Sequence, residues 1–134
     1  MLYGYKNLKM QYVNLIYNND FYNYNGGSDV EIEILGGFLS SDIGCHGISM
    51  LKRWIYDEKY TTLETNTTDL EKQGDYIILR DLFPQERYKH SSCKMTAIQL
   101  FQLIHDWQEK VCQHKPKEVT IIYKNDEFII ETKN

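Results

Sequence analysis

Residues 29–37 read DVEIEILGG, and how this stretch folds decides what can be built around it. Val30, Ile32 and Ile34 alternate with Glu31 and Glu33. A period of two predicts a half-buried strand with an acidic outer face, closed by the double glycine Gly36-Gly37. On such a strand the two glutamates share one side. They could form a carboxylate pair for acid/base work, although the ordinary meaning of the alternation is a solvated face.

Working outward, QYVNLIYN (residues 11–18) mixes aromatic and branched residues and reads as a strand. Between the two strands lies NNDFYNYNGG (18–27), too polar for a core and too aromatic for a plain linker, which reads as a loop. Downstream, Ile48, Leu51, Trp54 and Ile55 recur at helical spacing and predict a short helix. Residues 61–74 are polar and turn-rich, and DYIILRDLF (75–83) has strand composition and stops at Pro84. Residues 85–94 are basic and irregular. A long helix over 96–113 follows, with Thr96 as its N-cap, a broad apolar face running from Ile98 to Val111, and Pro116 forbidding continuation. Residues 118–132 form two strand-like runs about Asn125-Asp126, both tolerant of positive φ, so a tight hairpin is expected. The order β, β, α, β, α, β, β predicts an α+β fold: one small antiparallel sheet, one long and one short helix, and a C-terminal β-hairpin.

The length of 134 residues suits a single domain with a core that needs no metal or disulfide. Met10 offers a second in-frame start, which would make the first nine residues dispensable. Three cysteines, with no CxxC, fit reduced thiols in a cytosol better than a disulfide framework. No window approaches the roughly 18 apolar residues of a membrane span. The opening MLYGYKNLKM lacks the apolar stretch of a signal peptide, so a cytoplasmic protein is expected. Eleven tyrosines exceed ordinary usage, and a genome poor in G and C, which enriches Tyr, Asn, Lys and Ile together, accounts for part of that excess.

Charge is unevenly placed. Between Asp57 and Asp75 stand Asp57, Glu58, Glu64, Asp69, Glu71 and Asp75 against Lys59 and Lys72, so this segment carries the whole formal charge of −4. Proteins that bind nucleic acid concentrate basic residues instead. The segment therefore argues against direct nucleic-acid contact and for either a basic partner or a solvated acidic loop.

Chemistry is sparse. Cys45 and His46 are neighbours, which on a strand would point to opposite faces. Cys93, following His90-Ser91-Ser92 and just ahead of the long helix, is the better candidate for a thiol nucleophile, with a partly buried structural cysteine as the ordinary alternative. Cys45, His46, His90 and Cys93 include zinc-ligand types, but at no recognised ligand spacing. The glycines form neither GxGxxG nor a phosphate loop. His105 reads as a surface residue opposite the apolar stripe, and Trp54 and Trp107 read as core. No catalytic residue, metal or cofactor is expected.

The segment TAIQLFQLIHDWQEKVCQHKPKEVTIIYKNDEFIIE (96–131) resembles the C-terminal half of immunity proteins from bacterial contact-dependent growth inhibition and related polymorphic toxin systems. The matching residues are Leu103, Trp107, Val111, Lys115, Pro116, Ile121, Ile122, Phe128 and Ile130. All are positions of a structural pattern, so no binding residue carries over from them. The resemblance implies a cytosolic protein that binds one cognate toxin domain, often a basic nuclease, and occludes its active site without chemistry. Under that reading Phe21, Tyr22 and Tyr24 are contact candidates, because Tyr with Asn and Gly is the mix antibody loops use. The competing reading folds that loop over the sheet and buries one or two of its aromatics. Glu31, Glu33 and the six acids from Asp57 to Asp75 complete the expected partner surface. A small Cys-dependent hydrolase and a non-inhibitory adaptor or chaperone-like binder are the alternative functions.

Overall fold

The computed structural model describes residues 10–134, so the expectation about the first nine residues falls outside the described residues. In chain order the elements are β1 (Gln11–Asn18), β2 (Phe21–Gly27), α1 (Val30–Gly37), α2 (Ile48–Tyr56), β3 (Thr62–Glu64), β4 (Thr68–Gln73), β5 (Tyr76–Asp81), β6 (Cys93–Thr96), α3 (Ala97–Trp107), β7 (Glu118–Lys124) and β8 (Glu127–Lys133). Wider π-helical turns extend α1 through Ile43 and α3 through Cys112. The protein is α+β, as its sequence predicts, with the C-terminal hairpin in place. Among the described residues it holds two four-stranded antiparallel sheets and three α-helices, where the sequence pattern predicts one sheet and two helices.

The first sheet has the order β2-β1-β7-β8 and joins the two ends of the described chain. Val13 lies opposite Ile121, which lies opposite Ile130, and this row faces the core. The second sheet, β3-β4-β5-β6, is continuous in sequence. Its inner face carries Leu70 opposite Leu79 and Leu79 opposite Cys93. On its outer face Glu71, Ile78 and Lys94 line up across β4, β5 and β6.

Three local readings are corrected. DVEIEILGG is not a strand but the helix α1. This helix packs against β1 and β2 of one sheet and β5 and β6 of the other. Ile32, Ile34, Leu35, Phe38 and Leu39 are buried around most of its circumference. A helix enclosed on most sides has only a narrow polar strip, here Glu31, so the 3.6 period that identifies a surface helix is absent. Gly36 serves this enclosure: a Cβ there would meet the two Cγ atoms of Val13 at 3.0 Å, so only glycine lets α1 lie this close to β1.

Residues 18–27 are not a loop. Asn19 and Asp20 take φ of 55° and 70° and reverse the chain in a two-residue turn, and Phe21–Gly27 pairs along β1. Residues 61–74 likewise hold β3 and β4 rather than free turns. Asp42, in the extension of α1, anchors the connection between them, accepting from the hydroxyls of Thr65 and Thr67 and from the Thr67 N–H.

The cysteines are not all thiols. Cys45 and Cys112 form a disulfide that ties the segment after α1 to the end of the α3 extension, and Cys93 alone is free. The long helix begins as expected: the Thr96 hydroxyl accepts from the Gln99 N–H while the Gln99 side chain accepts from the Thr96 N–H. It ends where Lys115, at φ 46°, turns the chain into Pro116. Trp107 and Trp54 are core residues, and the Trp54 indole donates to the Thr62 carbonyl.

Candidate functional site

The aromatic residues of β2 have three separate fates. Phe21, at the hairpin tip, is 68% exposed. Tyr22 turns inward, its hydroxyl donating to the Pro116 carbonyl at 2.6 Å and its ring set edge-on to Trp107 at 5.9 Å. Burial and the neighbouring Tyr17 push the Tyr22 phenol up to about 12. Tyr24 reaches across to Glu33. The asparagines are also engaged: Asn23 donates to the Asn18 and Phe21 carbonyls, and Asn25 donates to Asn14. Of the three aromatics proposed as contacts, Phe21 alone has a side chain with no hydrogen-bond or ring partner among the described residues.

Glu31 and Glu33 are parted by the helix. Glu31 is exposed, whereas the Glu33 side chain is only 3% exposed, which overturns the shared solvated face expected of a strand. The Glu33 carboxylate is fully engaged. Oε1 accepts from Arg87 Nη2 at 3.0 Å and from the Tyr88 hydroxyl at 2.9 Å, and Oε2 accepts from the Tyr24 hydroxyl at 3.1 Å. Burial first, and then the hydrogen bond to Glu33, raise the Tyr24 and Tyr88 phenols, keeping both as donors. These groups line a cavity of about 180 Å³ together with Thr67, Thr68 and Asp81. Arg87 and Tyr88 carried no signal in the sequence, since nothing local links them to a glutamate 54 and 55 residues away.

The six acids between Asp57 and Asp75 divide into two groups. Glu64, Asp69 and Glu71 lie on β3 and β4. Glu64 stands directly opposite Asp69, while Glu71 is paired with Arg80 at 3.1 Å. Two like charges in direct cross-strand register destabilise a sheet. Asp57 and Glu58 follow α2, and Asp75 sits in the β4–β5 turn. Glu58 and Asp75 border an open groove of about 610 Å³ whose apolar walls are Ile55, Tyr56, Ala97 and Ile98.

Ile98 is 63% exposed and Tyr56 59%, an unusual degree for large apolar side chains lining one groove. Lys72, the base in that lining, has its ammonium engaged by the fold. It donates to the Asp57 and Tyr60 carbonyls at 2.6 and 2.8 Å and lies 4.5 Å over the Trp54 ring. Lys59 is stacked on Tyr60 and Lys94 on Tyr76.

Residues suggestive of chemistry are not assembled. Cys93 is buried in β6, and desolvation followed by the charge of Glu31 pushes its thiol up to about 12, the reverse of nucleophile activation. Cys45 is committed to Cys112 and His46 is exposed beside it. Among the described residues no three His, Cys, Asp or Glu are grouped to hold a metal ion, and no helix is long and apolar enough to cross a membrane. His105 is on the surface, in contact with Glu109. No family model, no curated protein and no solved structure matches the chain.

Proposed function

We propose that this protein binds a basic protein domain and blocks it, acting as an immunity protein toward a cognate toxin domain of the nuclease kind. One observation carries the reading. An exposed apolar groove is edged by Glu58 and Asp75, with its own lysine donating to backbone carbonyls, on the module whose outer face sets Glu64 against Asp69, itself opposite Arg80. Apolar walls supply area that a partner can bury, and acids at its edge steer and orient a cationic surface. Acids in this position would occupy the ground that substrate phosphate takes on a basic nuclease. Phe21, exposed on the other sheet, is available as a further contact.

The cytoplasm is the compartment in which a nuclease is met. There the reducing poise would hold Cys45 and Cys112 as neighbouring thiols, and the reading requires a fold that survives without their bond. The test is association and dissociation kinetics against a toxin domain encoded beside this protein, should its gene neighbourhood hold one, over a salt series, with the toxin's own activity measured in parallel. A neighbourhood without any toxin counts against the reading. Tight binding with loss of activity, and association that slows steeply with salt, is the expected result. Binding that leaves the activity intact would make the protein an adaptor, and no binding would overturn the reading.

A further inference from the structure

Glu33 is held in an arrangement suited to a cation, supplied here by Arg87, whose Nη2 donates to both carboxylate oxygens at 3.0 and 3.3 Å and whose guanidinium lies 5.1 Å over the Tyr88 ring. Its carboxylate sits inside the fold between α1 and β2, where Gly27 leaves the room: a Cβ on Gly27 would come within 3.0 Å of Glu33 Cγ and 3.1 Å of Oε2. Two phenol hydroxyls aim at the carboxylate from opposite elements, Tyr24 from β2 and Tyr88 from the crossover between β5 and β6. The remaining partner, the Arg87 guanidinium, comes from a single 3₁₀ turn (Glu86–Tyr88) in that crossover, and its side chain is 54% exposed. An enclosed carboxylate thus depends on an arginine that stands at the surface, and Glu33, Tyr24 and Tyr88 themselves line a cavity bordered by a second acid, Asp81, and by Thr67 and Thr68. Buried charge needs a paired and hydrogen-bonded counterion, whereas a half-exposed arginine forfeits little by moving into water.

We infer that Glu33, Tyr24 and Tyr88 form a receptor for a guanidinium group, occupied in the free protein by Arg87 and taken over by an arginine side chain of the bound partner. The inference rests on the reading of the partner as a basic protein, and it adds the point at which one partner residue is gripped. Exchange of one guanidinium for another leaves every bond to Glu33 in kind, so the site needs no rearrangement beyond the swing of the crossover.

The test requires no partner. Ethylguanidinium, which reproduces the end of an arginine side chain, is titrated into isotope-labelled Arg87→Ala, with ethylurea as its neutral counterpart. The expected result is saturable millimolar binding that shifts the signals of Tyr24 and Tyr88 and raises the melting temperature. The native protein should bind at least about tenfold more weakly, because Arg87 already fills the site. Ethylurea should do nothing, and Glu33→Gln with Arg87→Ala should abolish the effect.

Equal response to both probes, or binding unaffected by Glu33→Gln, overturns the receptor. Should Arg87→Ala fail to fold, Arg87→Met keeps the aliphatic stem and is titrated instead. If that variant also fails, the native protein is titrated at higher probe concentration, and an absence of shifts at Tyr24 and Tyr88 overturns the proposal. A receptor that binds ethylguanidinium while the neighbouring toxin is ignored removes the immunity reading alone. A toxin bound equally well by Glu33→Gln removes the receptor's role in that binding alone.

Discussion

Trp107, 1% exposed, is the largest fully enclosed side chain in the molecule. Trp107→Ala is expected to cost about 3–5 kcal/mol in denaturant melts. Its indole N–H finds no acceptor among the described residues, so Trp107→Phe removes an unsatisfied donor along with some packing and should cost clearly less than the alanine. Tyr22→Phe deletes only the hydrogen bond to Pro116 and should cost about 1 kcal/mol by the same measurement. Asp42 is shifted in the opposite sense from these phenols. Burial alone would raise its carboxyl, but the hydrogen bonds from Thr65 and Thr67 outweigh it and hold the group below its ordinary 3.8. Because the folded value is depressed, its contribution is complete above the unfolded value and disappears as pH falls through the folded one. Asp42→Asn should therefore flatten the loss of stability below about pH 4, read as a shallower acid limb in a stability-versus-pH series.

Between elements, the Cys45–Cys112 bond closes 67 residues of separation, worth about 4 kcal/mol through the entropy it removes from the unfolded chain. Melts with and without reductant should show that loss, and Cys45→Ser in the absence of reductant should reproduce it. The pairing was not legible, because spacing alone joins no two of three cysteines. Other elements were legible to the extent that their faces differ. The long helix and the last hairpin keep one wet side and one dry side, and both stand where the pattern puts them. For α1, buried over most of its circumference, periodicity pointed the wrong way. Asn19-Asp20 is a different case: it carries the same two-residue signal as Asn125-Asp126, and both pairs take positive φ. The aromatics around it drew attention away from the turn. The candidate groove was half visible, since its acids were countable but its apolar walls come from α2 and α3, far apart in sequence.

At the scale of the molecule, electrostatic binding and stability should pull against each other on the outer face of β3 and β4. Glu64→Lys converts a repulsive cross-strand pair with Asp69 into an attractive one, and should stabilise the fold by about 0.2–1 kcal/mol. The same change should slow association with a basic partner and lessen its dependence on salt. Melting and stopped-flow association on one variant decide both halves. A third consequence lies in how the first sheet is sewn. Asn14 of β1 lies opposite Thr120 of β7, so the opening hairpin finds its neighbour only after about a hundred further residues have been made. At ribosomal speed that interval is roughly 5 to 20 s. Throughout it α1 can already cover Val13, but one edge of β1 stands open to any passing strand. The nascent chain is most exposed to misassembly while it is nearly finished, and a chaperone that holds β1 until β7 emerges should raise the yield of folded protein more than one that acts after release.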